Sequence, residues 1–211
     1  MNKCFAKRRR KLDLIEAVKT RKSIRKFESE DVDLNLIKKI MEISINSPSG
    51  GNAQNWFTYI IKNKDILNKM RSEVETVYKN VTGKDAPDVY AFFNEAPVVL
   101  AVVEKPYTGS IDKILENNDK NKDRNFARKF IVNPGLQGVS SFIAHILLVV
   151  HNEGLGACWM TGPLIAKPEI ENILGIKSPD NLVALIPVGK PVERKSKSSR
   201  MNVEEVITVV L

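Results

Sequence analysis

Apolar positions recur with a helical period over several stretches of the chain and run together in a few short β-branched blocks. Leu12, Ile15 and Val18 form a stripe that predicts a short helix from Leu12 to about Lys19. The next residues, Arg21-Lys22-Ser23-Ile24-Arg25-Lys26-Phe27, break that period and read as extended. Side chains alternate in an extended segment, so Arg21, Ser23 and Arg25 share one face. A second helix is expected from an Asp33 N-cap, with Leu36, Ile37, Ile40, Met41 and Ser44 on its inner side. It should stop before Ser47-Pro48, because proline disfavours the helical conformation in the residue preceding it.

Trp56 to Ile61 reads as a strand, Asp65 to Tyr78 as a helix, and Asp88 to Glu95 as a shorter one. Pro97 to Val103 is an apolar, β-branched strand. Tyr107 to Val132 is polar and long, as a lid, a binding loop or an excursion with its own helices would be. Leu136 to Asn152 is the longest apolar helix, closed by Gly154 and Gly156. Strands follow at Ala157 to Met160 and Leu182 to Val188, with a small helix from Lys167 to Leu174 between them. The apolar, β-branched ending Val203 to Leu211 should pack on its own sheet or on a partner. Taken alone, this alternation of elements suggests a doubly wound parallel sheet.

The 211 residues fit one domain of ordinary size, or two small ones, and 43% hydrophobic with 27% charged residues can bury a core. No run reaches the roughly 18 consecutive apolar residues of a membrane span; the richest, Phe142 to Val150, reads as a buried helix. Cys4 and Cys158 lie far apart in no metal-binding spacing, so a reducing cytoplasm is the expected setting. Residues 1–11 carry positive charge without the apolar stretch of an export signal. They read as a solvated basic extension before a domain spanning 12–211.

The formal charge is +8, from 33 basic and 25 acidic residues. That balance suits nucleic acid, a membrane surface or a phosphorylated small ligand. The cations are scattered through helices that also carry acids, which argues against a nucleic-acid module.

Three segments have the makings of a site. In the row Arg21, Lys22, Ser23, Arg25, forked guanidinium donors and a hydroxyl suit a phosphate. The same row also reads as cations complementing a helix C-terminus. The loop Ser47 to Gln54 combines glycines with Ser49, Asn52 and Gln54, donors and acceptors for a heterocycle edge or a sugar chain, or forms an ordinary turn. The stretch from Gly154 to Pro163 offers an exposed backbone turn at Thr161-Gly162. Within it Trp159 and Met160 read first as core side chains and Cys158 as a buried apolar residue.

His145 and His151 stand six apart, and the sequence has no HExxH, no GxSxG elbow, no GxGxxG and no acidic pair placed as general acid and base. No metal site and no catalytic side chain are indicated. A bound cofactor would then carry the chemistry.

In this order the segments resemble the nitroreductase family of flavoproteins. TRKSIRKF resembles the family's Arg-x-Ser-x-Arg/Lys signature, and SPSGGNAQNWFTYII its Pro-Ser-x-x-Asn-x-Gln-Pro-Trp segment. GLGACWMTG resembles its Gly-Leu-Gly turn, and IPVGKP followed by SSR its closing strand and terminal arginine. The resemblance runs from about Leu12 to the C-terminus. It implies an α+β fold, a central mixed sheet wrapped by helices, in an intertwined homodimer whose C-terminal strand is exchanged with the partner. That overrides the parallel-sheet expectation.

By the same resemblance, Arg21 and Ser23 would hold the phosphate of FMN with Lys22 beside them, and Arg25 would give electrostatic support near flavin N1. Pro48, Ser49, Gly50 and Asn52 would reach the flavin from the neighbouring subunit. Backbone groups at Met160, Thr161 and Gly162 would approach N5, and Arg200 with Lys197 would close on the phosphate. NADH or NADPH would supply hydride, passed by a ping-pong mechanism to a nitroaromatic, quinone or similar small-molecule acceptor. Enoate reduction, dehalogenation, flavin breakdown, or flavin binding without turnover are alternatives on the same scaffold. Asn55 stands where the family usually has proline, and should relax the loop. Residues 108–133 fall where the family varies beside the substrate.

Overall fold

The computed structural model describes residues 12–109, 133–192 and 199–210. Helix α1 (Leu14–Thr20) is capped by Asp13, whose side chain accepts from Glu16 N–H, and α2 (Leu34–Ser44) by Asp33 in the same way toward Asn35. Strand β1 is Trp56–Ile61. Helix α3 (Lys64–Thr82) starts one residue before the expected Asp65 and runs four past Tyr78, from an Asn63 cap to left-handed Gly83. Helix α4 (Asp88–Ala91) gives way to a 3-10 turn over Phe92–Glu95. Strand β2 (Val98–Glu104), α5 (Pro134–Asn152), β3 (Gly156–Ala157), α6 (Lys167–Leu174) and β4 (Asn181–Gly189) follow among the described residues.

The sheet has the order β1-β2-β4-β3, and every ladder in it is antiparallel. Among the described residues its parallel component is the bridge between Ser23 and Ala157. A doubly wound parallel sheet is therefore excluded, and the architecture is α+β.

Strand β2 is apolar from Val98 to Val103 because both its faces are covered there. Val98, Leu100 and Val102 meet α2 and α5 through Ile37, Ile40, Val139, Phe142, Ile143 and Ile146. Val99, Ala101 and Val103 point the other way, into Leu67, Met70, Val74, Phe93 and Ile170. The period of two thus divides one strand between two cores. Trp56 enters the first of them, stacked on Phe142 at 4.8 Å. By length and composition α5 is long and apolar enough to cross a membrane, yet it is the core helix of this face, with Val139, Phe142, Ile143, Ile146 and Val150 buried.

Four details go beyond the sequence reading. The α1 stripe does not face this chain's core: Ala17 is buried, while Ile15 and Val18 are 65% and 56% exposed. The strand expected over Ala157 to Met160 is only two residues long. Cys158 and Trp159 leave the ladder, and Met160 rejoins it through an isolated bridge to Leu185. Gly154 takes the left-handed conformation after α5, whereas Gly156 belongs to β3. The segment from Val203 forms a 3-10 turn to Glu205 and joins no ladder of this chain; Val206, Val209 and Val210 are 60%, 72% and 91% exposed.

Candidate functional site

The row from Arg21 begins where α1 ends. Arg21 N–H closes the helix on the Ala17 carbonyl at 3.0 Å, and its φ of −56° and ψ of 133° turn the chain into extended backbone. The segment then lies as a strap along the free edge of β3. Ser23 pairs with Ala157, and Ile24 N–H donates to the Ala157 carbonyl at 2.9 Å. Gly156 permits this approach, since a Cβ there would stand 2.6 Å from Ile24 Cγ1.

Further along, Val192 N–H donates to the Lys26 carbonyl and Glu28 N–H to that of Lys190. Lys190 Nζ bridges Glu28 (2.7 Å) and Glu30 (3.0 Å), and these two carboxylates raise its pKa. Arg21, Lys22 and Ser23 are half-buried and Arg25 is exposed. The C-terminal end of α5 supports the strap's start: Leu12 N–H donates to Asn152 Oδ1, and His151 Nε2 lies 2.8 Å from Thr20 Oγ1.

The loop after α2 is shaped by its own hydrogen bonds. Ser47 is buried with its hydroxyl donating to the Ser44 carbonyl, and Ser49 Oγ accepts from Gln54 N–H at 3.0 Å. Gly51, Asn52 and Gln54 have φ of 58°, 54° and 46°, three left-handed residues within four positions. Asn52 tolerates that region better than most side chains do. Pro48, Gly50 and Asn52 are exposed, and Ser49 is half-buried.

Beneath the loop lies the N-terminal end of α5, where a Cβ on Gly138 would stand 3.1 Å from Ser49 Cβ. The Tyr107 hydroxyl covers Gly50, 2.8 Å from where a Cβ would stand. Asn55 does not slacken the loop. It is buried, its carbonyl accepts from Lys105 N–H at 2.8 Å, and its Nδ2 donates to the Lys105 carbonyl, prolonging the β1–β2 pairing past Trp56. Neither Asn55 nor Tyr107 stands out in the sequence as a support for this loop. Gly135 and Gly138 carry a readable signal, two small residues three apart on one helical face.

In the third segment Met160 exchanges both backbone hydrogen bonds with Leu185, at 2.9 and 3.1 Å, and its side chain is core. Its backbone N–H and carbonyl are thus both taken up by the sheet, and the exposed Thr161 and half-buried Gly162 follow it. Cys158 is buried, as its setting suggested. Arg200 is exposed and donates to the Ser199 carbonyl; Lys197 lies outside the described residues. Among the described residues, no group of three His, Cys, Asp or Glu side chains is arranged to hold a metal ion.

The strap and the third segment meet through the Ser23–Ala157 pair. The loop lies elsewhere. Ala157 pairs with Val188 and Val188 with Val98, the end of the sheet where β1 finishes at Ile61. The loop runs into Trp56 at the opposite end, about 17 Å away along the strand at the usual rise per residue. Helix α5 reports the same separation. Gly138 is beside the loop and His151 beside the strap, about 20 Å apart at 1.5 Å per residue. One chain therefore does not bring Arg21 and Asn52 into one pocket.

The model of the Nitroreductase family matches residues 18–190. A protein of Methanothermobacter thermautotrophicus, provisionally named an NADH dehydrogenase/NAD(P)H nitroreductase, is 29% identical over 191 residues, covering 87% of this chain and 80% of its own. Among solved structures, a BluB-like flavoprotein from Clostridium difficile superposes with a TM-score of 0.84 at 28% identity, over 94% of this chain and 99% of that one. An iodotyrosine deiodinase bound to FMN and 3-iodo-L-tyrosine shares the fold at a TM-score of 0.68 and 22% identity, over 90% of this chain and 96% of its own.

Proposed function

Since this chain belongs to the nitroreductase family, we propose that it is an FMN-dependent NAD(P)H oxidoreductase working as a homodimer, with nitroaromatic, quinone or similar small molecules as acceptors. The observation that carries the reading is the placement of the strap. Pairing Ser23 with Ala157 sets the segment that carries Arg21, Lys22 and Ser23 against the strand four residues before the exposed Thr161. That donor set fits a phosphate dianion, and the exposed turn fits the approach of a flat ring. The separation of loop and strap supports a site assembled from two chains, with Pro48, Ser49, Gly50 and Asn52 of one facing the strap of the other. The exposed apolar side chains of α1 and of 203–210 fit the same assembly.

In this reading Arg21 and Ser23 grip the phosphate with Lys22 beside them, and Arg200 with Lys197 close over it. Bound there, FMN supplies the two-electron transfer between a nicotinamide and an acceptor. Backbone at Gly50 and at Thr161-Gly162 comes close to the ring, and Asn52 offers its amide to the ring edge or ribityl chain. Arg25 places positive charge where negative charge develops, an electrostatic stabilisation already in position before the reaction. Donor and acceptor use one binding place in turn, which gives a ping-pong order.

The purified protein is expected to be yellow, to release FMN on heating, and to oxidise NADH or NADPH anaerobically in the presence of an acceptor. A panel of nitroaromatics, quinones, enoates and halogenated phenols then ranks the alternatives. Colourless protein that takes up no added FMN would sink the reading. Arg25→Ala should retain FMN but slow NAD(P)H-dependent bleaching about tenfold, less than the 10²–10³ seen for donors in dry sites because Arg25 is exposed. Unchanged bleaching and potential would remove that role.

A further inference from the structure

We propose that Tyr90 is a positioning residue that sets how far the Thr161-Gly162 turn stands toward the flavin, an inference that rests on the FMN reading above. The turn is held on three sides. Before it, Met160 is fixed to Leu185 by two backbone hydrogen bonds. After it, Pro163 is buried and Leu164 N–H donates to the Thr161 carbonyl at 3.0 Å. Behind it lies the ring of Tyr90, and a Cβ on Gly162 would stand 3.1 Å from Tyr90 Cδ1 and 3.3 Å from Cε1.

The half-buried ring is braced from its own helix and from α3. Tyr90 sits in α4, whose first turn is closed by its own N–H on the Pro87 carbonyl at 2.9 Å, and Tyr78 of α3 meets it edge-on at 4.9 Å. Gly162 is not among the left-handed glycines of the chain, so its backbone accepts alanine. What excludes a side chain there is the ring. Helix α3, Tyr78, Tyr90 and Gly162 thus form one packed line from the second core to the turn.

The test is a double-mutant cycle on FMN affinity, read by flavin fluorescence, with the melting temperature of each FMN-free protein alongside. Gly162→Ala should raise the FMN dissociation constant about tenfold, the scale of modest overpacking converted to affinity. In a Tyr90→Ala background the same alanine should cost nothing, because the ring it meets is gone. Tyr90→Phe should match the wild type. The inference is overturned if Gly162→Ala costs as much without the ring as with it, since the glycine then serves the flavin and not Tyr90. It is equally overturned if Gly162→Ala leaves affinity unchanged. A wild-type chain that takes up no FMN overturns the cofactor reading and this inference together, whereas the outcomes within the cycle touch only the role of Tyr90.

Discussion

Arg21→Ala is expected to weaken FMN binding about a hundredfold while leaving the melting temperature of the FMN-free protein within a degree or two of the wild type. Truncating one partner of a buried, hydrogen-bonded charge pair costs about 2–5 kcal/mol; Arg21 is half-buried, and a hundredfold, about 2.7 kcal/mol, lies toward the low end. Fold stability should hardly change, because the structural work at this position is done by the backbone. Arg21 N–H ends α1 on the Ala17 carbonyl whatever the side chain, and the side chain is half-exposed. Arg21→Lys separates charge from shape. It keeps the cation and loses the planar fork, so an intermediate loss of about tenfold is expected. A fluorescence titration that gives wild-type affinity for Arg21→Ala would show that the phosphate is held elsewhere.

The second large effect concerns assembly. Arg21→Ala chains lack a working strap, and Asn52→Asp chains lack the amide donor of the loop. Aspartate is a mild choice at position 52, since it tolerates a φ of 54° and still accepts from Gln54 Nε2. Each variant alone should be pale at an FMN concentration that saturates only the wild type. Mixed through a cycle of dissociation and reassociation, they should regain colour. In a two-fold dimer a hybrid carries both lesions in one site and neither in the other, so about a quarter of all sites recover under random pairing. If each chain builds its whole site alone, mixing restores nothing, and absorbance of the gel-filtered mixture decides between the two.

Much of the fold was legible because burial leaves a strong imprint on the apolar pattern. The apolar runs of β1, β2 and β4 and the stripe of α5 each match an observed element within a few residues. Where reading failed, periodicity lacked the needed information. Of the stripe Leu12, Ile15, Val18, the last two lie in α1, but a period says only that a face is apolar and not what covers it. The run Ala157 to Met160 has strand-like composition, yet only its start stays in the ladder beside the strap. At the site, residue types and their order could be read directly. The Ser23–Ala157 pair, the Asn55–Lys105 clamp and the Tyr90–Gly162 contact could not, since each joins residues far apart in sequence and arises only once the sheet order β1-β2-β4-β3 is set.

The uncovered valines and isoleucine of 203–210 also bear on how this protein behaves in solution. On the proposed assembly, part of the apolar area that stabilises the chain is shielded by a neighbour, and mass action then governs it. Dilution works on such a chain as a denaturant would, loosening the terminal segment and the shared cofactor site together. Flavin content and melting temperature become functions of protein concentration, and values taken at micromolar and nanomolar concentration describe different populations of the same molecule.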